Sequence, residues 1–132
     1  MRLMKSLFTI SQTDGRPMYL QIMEQVKQRI TVGDWKPGDK IPSIRDLAVG
    51  LKVSVITIKR AYMELEREGV IVTRHGIGSM VADDTDLGQK LYQEELDLHI
   101  EEVAKLAALM GVSMDELKQR ITEAVERLEG RV

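Results

Sequence analysis

Apolar residues recur along this chain with two different periods, and the switches between them mark out its elements. After Pro17, the residues Met18, Ile22, Val26 and Ile30 share one face of a 3.6-residue repeat with Tyr19 and Met23 beside it. This predicts a first helix over about residues 17–32, stopped by Gly33. Pro17 is read as its first position, where the missing N–H has no helical partner to lose. The segment from Asp34 to Pro42 contains two prolines and a Pro-Gly turn, so it is a loop with at most a short extended stretch. Ile44, Leu47, Ala48 and Leu51 give the inward face of a short second helix, N-capped by Ser43 with Asp46 three residues on. Lys52 and Val53 make a tight turn, and Ser54 caps a third helix whose buried face is Ile58, Ala61, Tyr62 and Leu65 and which reaches Gly69. The pattern then turns β-branched: Val70–Arg74 and Ser79–Ala82 flank His75-Gly76-Ile77-Gly78, which reads as a β-hairpin with a glycine-containing tip.

The last third is helical again. Leu96, Ile100, Val103, Ala107 and Met110 are spaced 4, 3, 4, 3, and Leu91, Leu98, Leu106 and Leu109 widen the apolar surface of the same helix. Gly111 ends it, Ser113 and Glu116 form a capping box, and Met114, Leu117, Ile121, Ala124 and Leu128 repeat on a second helix, giving an αα-hairpin. The expected fold is mainly α with a small β-hairpin: a winged helix-turn-helix domain over residues 1–82, then a C-terminal αα-hairpin over 83–132. Trp35 is expected to pack under the loop after the first helix.

Composition narrows the function. At 132 residues and 15.0 kDa the chain has room for one ordinary domain or a small domain with an appendage, and its five aromatic residues leave the core to aliphatic side chains that suit packed helices. There is no cysteine, which removes disulfides, thiolate metal sites and cysteine nucleophiles and fits a reducing cytoplasm. Leu7, Phe8 and Ile10 near the start are too short a stretch for a signal peptide, and no run approaches a membrane span. Two histidines far apart, with no phosphate loop or nucleophile elbow, argue against an enzyme. His99 between Glu95 and Glu102 reads as a solvated helix face rather than a metal site, so no metal or cofactor is expected.

Charge is distributed unevenly. Residues 1–82 carry 13 Lys and Arg against 8 Asp and Glu, a balance of +5, whereas residues 83–132 carry 6 against 13, a balance of −7. A basic half suits a polyanion and an acidic half is kept away from one. The acidic cluster Asp83, Asp84 and Asp86 reads as a linker and helix N-terminus. Three helices followed by a hairpin, with the second and third tightly joined, is the winged helix-turn-helix layout, in which the third helix enters the major groove. From Ser54 onward the positions opposite its core face are Val55, Ile56, Lys59, Arg60 and Met63. Gly76 and Gly78 let the hairpin tip approach a phosphate or the minor groove beside Arg74 and His75.

The runs Ile41-Pro42-Ser43-Ile44-Arg45-Asp46-Leu47-Ala48, Val53-Ser54, Thr57-Ile58-Lys59-Arg60-Ala61-Tyr62, Leu65-Glu66-Arg67-Glu68-Gly69 and Arg74-His75-Gly76-Ile77-Gly78-Ser79-Met80-Val81 together resemble the DNA-binding domain of the GntR family of bacterial transcriptional regulators. The tail of only two helices resembles the YtrA-like subgroup. The resemblance implies that Arg45 holds a phosphate or reaches a base edge, that Thr57 and Lys59 contact backbone and bases, and that His75-Gly76 reaches the minor groove. Two departures stand out. The family commonly has Arg or Asn where this chain has Val55 and Ile56, and a basic residue where it has Ile77. Val55 and Ile56 offer no donor to guanine, which leaves them either contact with thymine methyls or packing against the wing or a neighbouring helix.

The sequence thus points to a transcriptional regulator, with repression as the expected mode, acting on an inverted-repeat operator as a homodimer. Its expected DNA-binding residues are Ser43, Arg45, Ser54, Val55, Ile56, Thr57, Lys59, Arg60, Arg74, His75 and Gly76. Dimerisation is expected through Leu91, Leu98, Val103, Leu106, Met110, Leu117, Ile121 and Leu128, since the spare apolar stripe of so small an appendage needs a partner. The expected partners are double-stranded DNA and a second copy, with no membrane. A small-molecule effector remains open, because a dimer interface is able to form a pocket that one subunit lacks. Two rival classes stay open as well: an architectural DNA binder with low sequence preference, and a protein-interaction module.

Overall fold

A computed structural model of the chain describes residues 15–130; Leu7, Phe8 and Ile10 lie outside the described residues. Among these are five helices and one hairpin, in the order α1 (Met18–Thr31), α2 (Ile44–Leu51), α3 (Val55–Arg67), β1 (Ile71–Arg74), β2 (Gly78–Val81), α4 (Leu87–Met110) and α5 (Met114–Glu129). They divide into two compact units, the first reaching Tyr92 and the second running from Gln93.

The first unit is built around one aliphatic core. Ile22, Val26, Leu47, Ile58, Leu65, Val70, Ile71 and Val81 are its largest fully buried side chains, drawn from α1, α2, α3, the hairpin and the residue before it. The helical members are positions that the 3.6-residue period selects, so burial of each helix's apolar stripe against the others drives assembly. Local signals fix the ends. Ser43 Oγ accepts from Asp46 N at 3.0 Å, and Ser54 Oγ from Thr57 N at 3.2 Å, so each serine satisfies a backbone donor that its helix cannot. Lys52, at φ +57, is a left-handed C-cap that turns the chain between α2 and α3. Pro17 is the N-cap in an extended conformation rather than the first helical residue: its carbonyl accepts from Leu20 and Gln21, and helical geometry starts at Met18. Trp35 packs partly buried against the core, its backbone N–H donating to the carbonyl of Arg29 at 3.0 Å.

The loop before α2 contributes more than expected. Ile41 N donates to Ser79 O at 3.0 Å and Val81 N to Asp39 O at 2.8 Å, and Lys40 bridges Met80. β2 therefore has partners on both edges, β1 in antiparallel register (Ile71 with Val81, Arg74 with Gly78) and the 39–41 segment on the other side.

The first unit also ends later than the acidic cluster suggested. Leu87 and Leu91 at the start of α4 are buried in the first core, which carries the unit ten residues past position 82. Leu91 is accordingly corrected from a dimerisation residue to a core residue; it is a turn away from Leu87 on the face that the first unit covers. The acidic cluster opens α4: Asp84 accepts from Asp86 N at 2.9 Å and pairs with Lys90 at 2.8 Å. The hydrogen bond from Lys90, then that from Asp86 N, holds the Asp84 carboxyl below the usual carboxylate range.

In the second unit, α4 and α5 meet after Gly111, whose φ of +69 ends α4, and Ser113 caps α5 by accepting from Glu116 N at 3.1 Å. No residue of α5 is buried.

Candidate nucleic-acid interface

The candidate surface is assembled around the N-terminus of α3. Burial of Ile58, Ala61, Tyr62 and Leu65 turns the stripe Ile56, Arg60, Met63 and Arg67 outward, spaced 4, 3, 4 along the helix. Lys59 is exposed beside this stripe. Val55 is 50% exposed and Ile56 81%, so Ile56 stands almost clear of the protein and Val55 is half covered. Ser54 and Thr57 share a hydroxyl–hydroxyl hydrogen bond of 2.7 Å, which fixes both side chains at the first turn.

Two ties bring α2 and the wing to this helix. Tyr62 is buried and donates from its hydroxyl to the carbonyl of Pro42 at 2.7 Å, which holds the residue before Ser43 against α3. Burial raises the pKa of this phenol above the ordinary tyrosine range. On the other side, Glu66 Oε1 accepts from Thr73 N at 2.9 Å and joins β1 to α3. The 39–41 segment is paired with β2 and Pro42 with α3, so the exposed Ser43 and Arg45 follow directly from a stretch anchored to both.

The wing tip is a tight turn closed by Ile77 N donating to Arg74 O at 3.0 Å. Gly76 and Gly78 have φ of +80 and +116, conformations that an L side chain rarely adopts. Arg74, His75 and Gly76 are all exposed. Sequence reasoning missed Lys40, whose side chain lies along the wing: a Cβ at Gly78 would stand 3.4 Å from Lys40 Cε. The bridge to Met80 puts it there, and the only sequence signal was a short extended stretch within a loop rich in proline and charge.

All eleven expected DNA-binding residues belong to the first unit, and they come from its α2 and α3 N-termini, the first turns of α3 and the wing tip. Cations exposed across these elements (Lys40, Arg45, Lys59, Arg60, Arg74) give the surface the charge that a phosphate backbone requires. In the second unit, Leu98, Val103, Leu106, Met110, Ile121 and Leu128 are exposed and Leu117 partly so. Val103, Leu106, Met110, Leu117 and Ile121 line one open apolar groove between α4 and α5, with Arg120 and Arg127 also contributing to its walls. Leu98 and Leu128 are not among its lining. His99 Nε2 stands 3.7 Å from Glu95 on the surface of α4, and no three His, Asp or Glu side chains converge on a metal-sized site among the described residues. Nor is any described helix long and apolar enough to cross a membrane.

Comparison with known proteins matches residues 18–81 to the family described as bacterial regulatory proteins, gntR family. The chain is 35% identical over 116 residues to the uncharacterized HTH-type transcriptional regulator YhcF of Bacillus subtilis, covering 85% of this chain and 93% of that one. It is 32% identical over 127 residues to the HTH-type transcriptional repressor YtrA of the same organism, covering 94% and 96%. Among solved structures, a GntR family transcriptional regulator from Listeria monocytogenes superposes with a TM-score of 0.74 at 29% identity, over 83% of this chain and 96% of that one. The DNA-binding domain of AraR in complex with operator ORX1 superposes with a TM-score of 0.53 at 28% identity, over 57% and 96%.

Proposed function

The chain belongs to the gntR family of bacterial regulatory proteins, in its YtrA-like branch, and is a DNA-binding transcriptional regulator rather than an enzyme; from that premise we propose that it represses transcription in the cytoplasm as a homodimer bound to an inverted-repeat operator. The observation that carries this reading is the division of labour between the two units. One presents a recognition helix and a glycine-tipped wing with exposed cations, and the other exposes leucine, valine and methionine along both of its helices.

Ser54, Thr57 and Lys59 face the major groove at the start of α3, with Val55 and Ile56 against the base edges. Ser43 and Arg45 meet phosphates from α2, while Arg74, His75 and Gly76 follow the minor groove with Lys40 beside them. Relatives support the mode of action: a repressor is similar over nearly the whole chain, and a similar fold has been solved on operator DNA.

Leu98, Val103, Leu106, Met110, Leu117, Ile121 and Leu128 form the dimer contact. An apolar surface of that extent on a unit of some forty residues is covered in a stable protein, and a second copy covers it symmetrically. Two linked recognition helices then gain affinity from effective concentration.

Titrating the protein with salt on a duplex selected from a random pool and on a random duplex tests the reading. A regulator holds a preference of roughly 10³-fold or more for the selected duplex. Equal affinity for both, with only a steep salt dependence, would instead identify an architectural protein.

A further inference from the structure

The core stripe of α1 continues one turn beyond the core. Ile22, Met23, Val26 and Ile30 are buried, and Tyr19, on the same face, is only half-buried at the edge. Over that edge lies Arg60, on the outward stripe of α3. Its guanidinium carbon stands 3.9 Å from the centroid of the Tyr19 ring, and its Nη2 donates to the Tyr19 hydroxyl at 3.3 Å. The cation–π contact and the hydrogen bond together restrain the guanidinium, which an exposed arginine otherwise moves freely.

We propose that Tyr19 is a positioning residue for DNA binding: it holds the Arg60 guanidinium at the flank of the recognition helix, where its remaining N–H groups take a phosphate oxygen of the DNA backbone. The inference rests on α3 being the recognition helix. Phosphate rather than a base is the partner because Arg60 lies in the second turn and leans on α1, away from the N-terminal turn that reaches the base edges. Tyr19 thereby makes α1, which carries none of the expected contacts, part of the DNA-binding apparatus. Ordering the fork before the DNA arrives removes a conformational cost from the binding step.

The test uses the full chain with Y19F, Y19L, R60A, R60K and the Y19L/R60A pair, each measured on the selected duplex across a range of salt. R60A should lose about tenfold in affinity and about one unit of salt slope. Y19L should lose several-fold and Y19F less, since phenylalanine keeps the stacking face. The decisive result is non-additivity: the pair should bind no more weakly than R60A alone. R60K supplies a check that does not depend on Y19L folding, because a lysine keeps the charge but not the planar fork and should bind more weakly than wild type. Wild-type affinity for R60K or for Y19L, or losses that multiply in the pair, would overturn the proposal while leaving the recognition-helix reading intact. Failure of the wild-type chain to bind any duplex would overturn that reading, and this proposal with it.

Discussion

Val55 is half exposed and Ile56 largely so at the first turn of α3, which the proposed function sets against base edges. The thymine C5-methyl is the apolar feature of the major groove, so A·T pairs are expected opposite them. Replacing those thymines by uracil should weaken wild-type binding by about 1 kcal/mol or less, on the order of one buried methyl. A Val55→Ala, Ile56→Ala variant should not distinguish the two duplexes, and equal losses in both proteins would reject methyl contact. A second residue-scale expectation concerns Tyr62. Its folded pKa is raised above the unfolded value by burial, so its contribution to stability is fully present below the ordinary tyrosine range and is lost as the pH rises through and beyond it. Spectrophotometric titration should therefore show one of the three tyrosines resisting ionisation until the first unit unfolds. Tyr62→Phe should remove that late step and cost about 1 kcal/mol through the lost bond to Pro42.

At the scale of the element, the start of α3 depends on a single cap. Ser54→Ala removes the acceptor for Thr57 N and the hydroxyl partner of Thr57, and should cost about 1 kcal/mol in thermal or denaturant unfolding. Operator affinity should fall with it, since Thr57 loses its fixed orientation; unchanged stability would show that the cap is dispensable. The helices, their caps and the wing were legible because each announces itself within a few residues: Ser43, Ser54 and Ser113 before apolar periodicity, and Gly69 and Gly111 after it. Features resting on distant partners were not. Nothing local in Lys40 says that its strand mate is Met80, and nothing in Arg60 says that Tyr19, 41 residues earlier, lies beneath it. Leu91 misled for the same reason. It shares the apolar repeat of Leu98 and Leu106, but the first unit, not a partner, covers it.

For the whole molecule, the late boundary decides where the chain can be cut. Ending it after Asp83 would strip Leu87 and Leu91 from the first core, each worth about 2–5 kcal/mol by analogy with buried leucine truncations. Ending it after Tyr92 keeps both, and sedimentation should show a folded monomer whose operator affinity has dropped by about two to four orders of magnitude. A persistent dimer would move the interface elsewhere. In the full chain, Val103→Glu places a charge in the proposed contact and should give a monomer whose first unit stays folded.

The position of Trp35 has an optical consequence for these experiments. Phe8, Tyr19, Trp35, Tyr62 and Tyr92 are the only aromatic residues, and all precede Gln93. Indole emission from the half-buried Trp35 therefore follows the first unit alone, whereas far-ultraviolet ellipticity sums the helices of both. If association keeps the second unit folded, dilution should lower the ellipticity while the emission spectrum stands still, and the separation of the two curves measures dissociation without a label.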